Sequence, residues 1–205
     1  MNPKIKILFL ASNPTNTGAL RLGEEVRQID EKLRLGSNRD DFELLQHHAV
    51  RVSDLQQVLL RHQPDIVHFC GHGDRSHELL LEHSNGTSHA VSREAVTSLF
   101  TILKDNIKVV VLNACFSEDQ AKALHGVIDY TIGMSKITND KMSISFAGAF
   151  YQALAFGRTV NEAFNLAKNE IELHHLPGAD APELFVRSTV NRERPIVATE
   201  LTNAR

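Results

Sequence analysis

Residues Ile107 to Ser117, Ile-Lys-Val-Val-Val-Leu-Asn-Ala-Cys-Phe-Ser, form a nearly continuous apolar run that stops at Asn113, a small residue and a cysteine. A valine-rich run of this length reads as a central strand of a parallel sheet covered on both faces. Cys115 then lies just past the strand's carboxyl end. Ser117-Glu-Asp-Gln120 follows with the spacing of a capping box, so a helix is expected to open there and present its positive end nearby. Open α/β sheets bind ligands at this edge, and thiols near helix N-termini become reactive. A second stretch ends comparably: Asp65 to Asp74, Asp-Ile-Val-His-Phe-Cys-Gly-His-Gly-Asp, delivers His72 between two glycines.

Around these two stretches the chain alternates strand and helix patterns. Lys4 to Ala11 reads as a first strand, left through the polar loop Ser12 to Gly18. Leu22, Val26, Ile29 and Leu33 step along one helical face up to Gly36, and Glu24, Glu25, Arg27 and Lys32 read as the solvated face. Phe42 to Val50, interrupted by Gln46, His47 and His48, reads as a strand near the sheet edge. Ser53 is the expected cap of a short helix ended by Pro64. Glu78 to Glu82 and Ser88 to Val91, joined through Asn85-Gly86, carry the strongest hairpin signal in the chain.

Ser92 caps the next expected helix, with Val96, Leu99, Phe100 and Leu103 inward. Asp129 to Met134 is a fifth strand, and Asp140 to Phe156 is a largely buried helix stopped by Gly157. Thr159-Val-Asn-Glu162 forms a capping box for a helix to about Leu173, and Pro182 to Ser188 gives a last strand. The fold expected is α/β: a three-layer sandwich around a mostly parallel sheet of about six strands, with a small β-hairpin after the third strand. The reading places one domain over residues 1–188 and a polar, non-periodic tail over residues 189–205.

Composition narrows the function classes. The 205 residues carry 42% hydrophobic residues and a net charge of -3, without long like-charge blocks, so a nucleic-acid partner is not expected. No stretch approaches the roughly 20 apolar residues that span a bilayer, and a cytoplasmic, membrane-free protein is expected. Two cysteines make no disulfide framework. Cys70 reads as a small buried hydrophobe. His68, Cys70 and His72 alternate on one strand, but a zinc site needs further ligands at workable spacing and none is found. Gly71-His-Gly73 lacks the third glycine of a dinucleotide fingerprint. Neither a metal nor another cofactor is expected.

A cysteine attacking an acyl carbon needs a thiolate, a proton donor for the leaving group, and donors for the developing oxyanion. Cys115 can supply the first and His72 the second. The backbone N–H groups of Gly73 and Cys115 can supply the third. If the two strands are neighbours, about 5 Å apart, their end loops can place Cys115 and His72 around one scissile bond.

Phe69-Cys-Gly-His72-Gly73 followed by Leu112-Asn-Ala-Cys115 resembles the His-Gly and Ala-Cys pair of the caspase-like cysteine peptidases. Leu8 to Thr15 and Asp129 to Met134 make the chain most similar to the bacterial CHAT branch of that group, over roughly Lys4 to Ser188. The resemblance implies a caspase-hemoglobinase fold and a cysteine endopeptidase acting on protein or peptide substrates. It assigns His72 and Cys115 as the dyad and the N–H groups of Gly73 and Cys115 as the oxyanion hole. It also implies that Asn113 and Asn13 line the S1 pocket. Both are neutral, which leaves the P1 preference open, with a small or apolar residue expected.

The helix pattern follows Cys115 at once and leaves no long linker for self-cleavage, so activation by a partner or fused sensor is expected. Kinship implies an effector of bacterial defence or regulated death. Two other classes stand beside this reading. One is a catalytically silent interaction module of the same fold, which would need neither Cys115 nor His72. The other is a flavodoxin-like or TIR-like nucleotide-handling enzyme, which would need a carboxylate at the sheet edge and no thiol.

Overall fold

Side chains on the central strands alternate between two apolar layers because successive residues of a strand face opposite ways. In the computed structural model, which describes residues 3–192 and 194–196, both layers are filled. Ile7, Phe9 and Ala11 of β1 (Ile5–Ala11), with Val109 and Val111 of β7 (Val109–Asn113), face α1 (Leu22–Leu35), α5 (Asp140–Ala155) and α6 (Val160–Leu173). Leu8, Leu10, Val110 and Leu112 face the other way, toward α2 (Val52–His62), α3 (Arg93–Ile102) and α4 (Glu118–Leu124). Every residue of β7 is buried, as a two-sided strand requires.

Among the described residues the main sheet has six strands in the order β2-β1-β3-β7-β8-β9, where β2 is Phe42–His47, β3 Ile66–Cys70, β8 Tyr130–Met134 and β9 Pro182–Val186. All neighbours are parallel except β8 and β9. The polar-interrupted strand β2 is at the edge, as its sequence predicted. Strands β3 and β7 are adjacent, with Cys70 in register with Asn113. The expected α/β architecture, a mostly parallel six-stranded sheet between helical layers, is therefore what the chain forms.

The stretch from Asp65 to Asp74 is not one strand. Strand β3 ends at Cys70, and His72–Gly73 form a separate strand, β4, paired antiparallel with β5 (Leu79–Glu82). The break falls at Gly71, where a Cβ would lie 2.8 Å from the Ser12 carbonyl oxygen and 2.9 Å from the Phe69 ring. Strand β5 pairs in turn with β6 (Ser88–Val91), completing the hairpin expected around Asn85-Gly86. Gly86 has φ +82°, a conformation that glycine adopts without cost. Its carbonyl accepts from the Thr15 N–H at 2.9 Å, and the Asn16 side chain donates to Ser88 Oγ at 3.0 Å, so the hairpin ties down the β1–α1 loop.

Two expected caps are not formed. Ser53 lies inside α2; the N-terminus is closed by Asp54, whose carboxylate accepts from the Arg51 N–H at 3.0 Å. Ser117 flanks α4 but makes no cap hydrogen bond. Its hydroxyl instead donates to the Leu112 carbonyl at 2.7 Å and accepts from the Met134 N–H at 3.0 Å, stitching the ends of β7 and β8 together. Ser92 and Thr159 do cap, the latter in a full capping box with Glu162. The tail read over residues 189–205 lies largely outside the described residues; within them, Val190 and Ile196 pack against the core on the side of α1, α5 and α6 and share a groove with Lys108, Tyr130 and Arg187.

Candidate functional site

A cleft opens at the carboxyl edge of β3 and β7. Cys115, His72, Gly71, Asn113 and Cys70 line it from the sheet, Leu20, Arg21, Leu22 and Glu25 from the first loop and helix, and Thr138, Asn139, Asp140, Ser143 and Ile144 from the far wall. The topology makes this convergence necessary, since neighbouring parallel strands end at the same edge. Directly after Cys115 the chain turns through Phe116, which adopts φ +56°, an uncommon conformation for an aromatic residue, and whose ring meets His77 edge-on. This turn separates Cys115 from the buried strand and leaves it partly exposed.

Gly73 is set against the backbone of Cys115. A Cβ at position 73 would stand 1.9 Å from the Cys115 carbonyl oxygen and 3.5 Å from its nitrogen, so only glycine fits. His72, the neighbouring residue of β4, is held by its main-chain pairing to Leu80 and by its ring. Its Nε2 lies 2.8 Å from the Gly18 carbonyl. A carbonyl only accepts, so Nε2 carries a hydrogen and Nδ1 remains for other partners. Cys115 Sγ accepts from the Thr138 N–H at 3.3 Å and lies 3.7 Å from Thr138 Oγ1. The N–H suits a thiolate, and the Thr138 carbonyl, 3.8 Å from Sγ, suits the thiol.

The five residues singled out in the sequence are distributed as follows. His72, Cys115 and Asn113 line one cleft, and Gly73 adjoins Cys115. Asn13 is not among the lining residues; its Oδ1 accepts from the Leu20 N–H at 3.4 Å and its N–H donates to Glu82 Oε1 at 3.1 Å, which braces the loop that carries Leu20 and Gly18. Asn113 is 3% exposed, and its Nδ2 donates to Glu25 Oε1 at 2.8 Å.

Glu25 corrects the reading of α1. Assigned to the solvated face, it is instead 3% exposed and lies under the cleft. Its position was legible: Glu25 is three residues after Leu22 and four before Ile29, squarely on the buried face. Its carboxylate accepts from His68 Nε2 at 2.8 Å and from Cys70 Sγ at 3.0 Å, while His68 Nδ1 meets the Tyr151 hydroxyl at 3.1 Å. A buried carboxylate without donors would be costly, and this network supplies them. Burial, and then the Glu25 carboxylate, push the Cys70 thiol well above the ordinary cysteine range. The same two causes push the Tyr151 hydroxyl up.

No group of His, Cys, Asp and Glu among the described residues is arranged to hold a metal ion. No helix among them is long and apolar enough to cross a membrane.

Comparison with known proteins gives the cleft its family. A "Roc-COR-CHAT protease" from an unknown prokaryotic organism is 27% identical over 179 residues, covering 84% of this chain and 17% of the relative. A "Probable protease" from Gillisia limnaea is 22% identical over 179 residues, covering 86% of this chain and 30% of that relative. The chain thus spans less than a third of the length of either curated relative. The model of the CHAT domain matches residues 11–176, from the end of β1 to just beyond α6. On that match, which takes in the cleft and most of both helical layers, the chain belongs to the CHAT domain family.

Proposed function

We propose that the chain is a cysteine endopeptidase that works through Cys115 and His72. The observation that carries the reading is that a partly exposed cysteine and a histidine anchored at Nε2 line one cleft, with the Gly73 backbone against Cys115. The Sγ proton passes to His72 Nδ1, and the thiolate attacks the carbonyl carbon of a peptide bond. A C–S bond forms, and the carbonyl electron pair moves to oxygen, where the N–H groups of Gly73 and Cys115 hold it. The imidazolium, steadied by the Gly18 carbonyl, returns its proton to the leaving amine as the C–N bond breaks. Water, deprotonated by Nδ1, then hydrolyses the thioester and restores the thiol.

Substrates in this reading are proteins or peptides, and no cofactor takes part. The relatives' greater length supports control by a fused or separate sensor, and family kinship supports an effector role in bacterial defence or programmed death, within the cytoplasm. The test is digestion of a diverse peptide library by the purified chain, with products mapped by mass spectrometry. Cleavage that disappears in Cys115→Ala and His72→Ala supports the assignment, whereas full cleavage by Cys115→Ala rules it out.

A further inference from the structure

Glu25 and Asn113 bring buried hydrogen-bond acceptors to the cleft. A carboxylate offers about four lone-pair directions. At Glu25, His68, Cys70 and Asn113 occupy three of them. Beside it Asn113 Oδ1, on a residue 3% exposed, has no hydrogen-bond partner among the described residues. Asp140 adds a second carboxylate to the lining, and its Oδ2 accepts only a backbone donor, the Arg21 N–H at 3.2 Å. Arg21 also belongs to the lining, but its side chain is 68% exposed and its guanidinium lies toward Glu24, at 4.0 Å. Leu20, Leu22 and Ile144 give the same cleft apolar walls.

An apolar passage ending in a buried carboxylate beside an amide oxygen without a partner fits a flexible apolar stem that carries a cationic donor cluster. We propose that this cleft receives the substrate residue on the amino side of the bond cut by Cys115, and that the residue is arginine or lysine. Glu25 is the residue that determines specificity. Asn113 Oδ1 accepts from the same cationic head, and Asp140 adds negative charge near the entrance. The inference rests on Cys115 being the nucleophile, and it replaces the small or apolar residue expected from Asn13 and Asn113 alone. That expectation lacked the helix side of the pocket.

The test uses the full chain and peptidyl acyloxymethyl ketones that differ only at P1: arginine, lysine, norleucine or aspartate. The rate of adduct formation on Cys115 is read by mass spectrometry. Arginine and lysine probes should react about 10-fold faster than norleucine, with aspartate slowest. Glu25→Gln should bring that ratio to within about threefold, and Asp140→Asn should lower it part of the way. Because Glu25 has several buried partners, circular dichroism checks its fold, and Asp140→Asn tests the charge argument if Glu25→Gln does not fold. In a parallel arm, n-butylguanidinium should slow alkylation of Cys115 by iodoacetamide in the wild type and less so in Asp140→Asn. Ketones that label Cys115 without cationic preference would overturn the inference and leave the peptidase reading standing. Guanidinium protection without ketone labelling would support the cationic pocket while the peptidase reading falls. Absence of both would overturn the two together.

Discussion

Cys70 and Cys115 stand at the ends of adjacent parallel strands, yet their surroundings are opposites. Cys70 is 3% exposed, donates to a carboxylate, and has its thiol pushed up by burial and by that carboxylate. Cys115 is partly exposed, adjoins the Gly73 backbone, and accepts a backbone N–H at sulfur. The first is hydrogen-bonded only as a donor, to a carboxylate; the second both accepts the Thr138 N–H and is placed to donate to the Thr138 carbonyl at 3.8 Å, so it has partners as thiol and as thiolate. Position at a strand end therefore does not make a nucleophile; the identity of the groups facing the sulfur does.

The largest effect that could break the contrast is on turnover. Cys115→Ala should lower peptide cleavage by about 10³-fold or more, because the covalent step is lost. Cys70→Ala should retain cleavage and show instead in chemical denaturation, with a loss of about 1–2 kcal/mol for the buried hydrogen bond to Glu25. A reversal of these two outcomes would assign the sulfur chemistry to the wrong strand.

Next comes His72→Ala, expected to cost about 10²–10⁴-fold in kcat with little change in denaturation midpoint, since the ring is held at the cleft and not in the core. Gly73→Ala sharpens the geometric side of the comparison. Its Cβ would meet the Cys115 carbonyl oxygen at 1.9 Å, so the two strand ends must separate. A destabilisation of about 1–3 kcal/mol, accompanied by loss of cleavage, is expected from thermal melts and peptide assays.

The smallest effect lies outside both sulfur environments. Burial, and then the Glu183 carboxylate, raise the carboxyl of Glu118 above its ordinary range. A raised carboxyl disfavours the ionised form in the fold, so its contribution to stability is fully present below the unfolded value and is lost as pH rises past it. Glu118→Gln should therefore raise the melting midpoint at pH 7 by an amount equivalent to about 0.5 kcal/mol. The difference should vanish in scans below the ordinary glutamate range.

Much of the fold was readable because single-residue patterns carried it. The valines of β7, the Leu22-Val26-Ile29-Leu33 face of α1 and the Asn85-Gly86 turn each express a local rule with a unique structural answer. Main-chain partners left no such mark. Nothing about Gly18 as a residue type announces that its carbonyl holds His72, nor does Thr138 announce that its N–H reaches Cys115. Ser117 and Glu25 failed for the opposite reason. Their types suggested a helix cap and a solvated charge, whereas tertiary partners used one as a strand brace and buried the other under the cleft.

The most direct measurement of the central claim is peptide mapping of the folded protein after brief exposure to a peptidyl acyl electrophile. One adduct is expected, on Cys115, forming far more slowly in His72→Ala, with Cys70 modified only once the protein is unfolded. An adduct on Cys70 in the folded state, or labelling of Cys115 that is indifferent to His72, would contradict it.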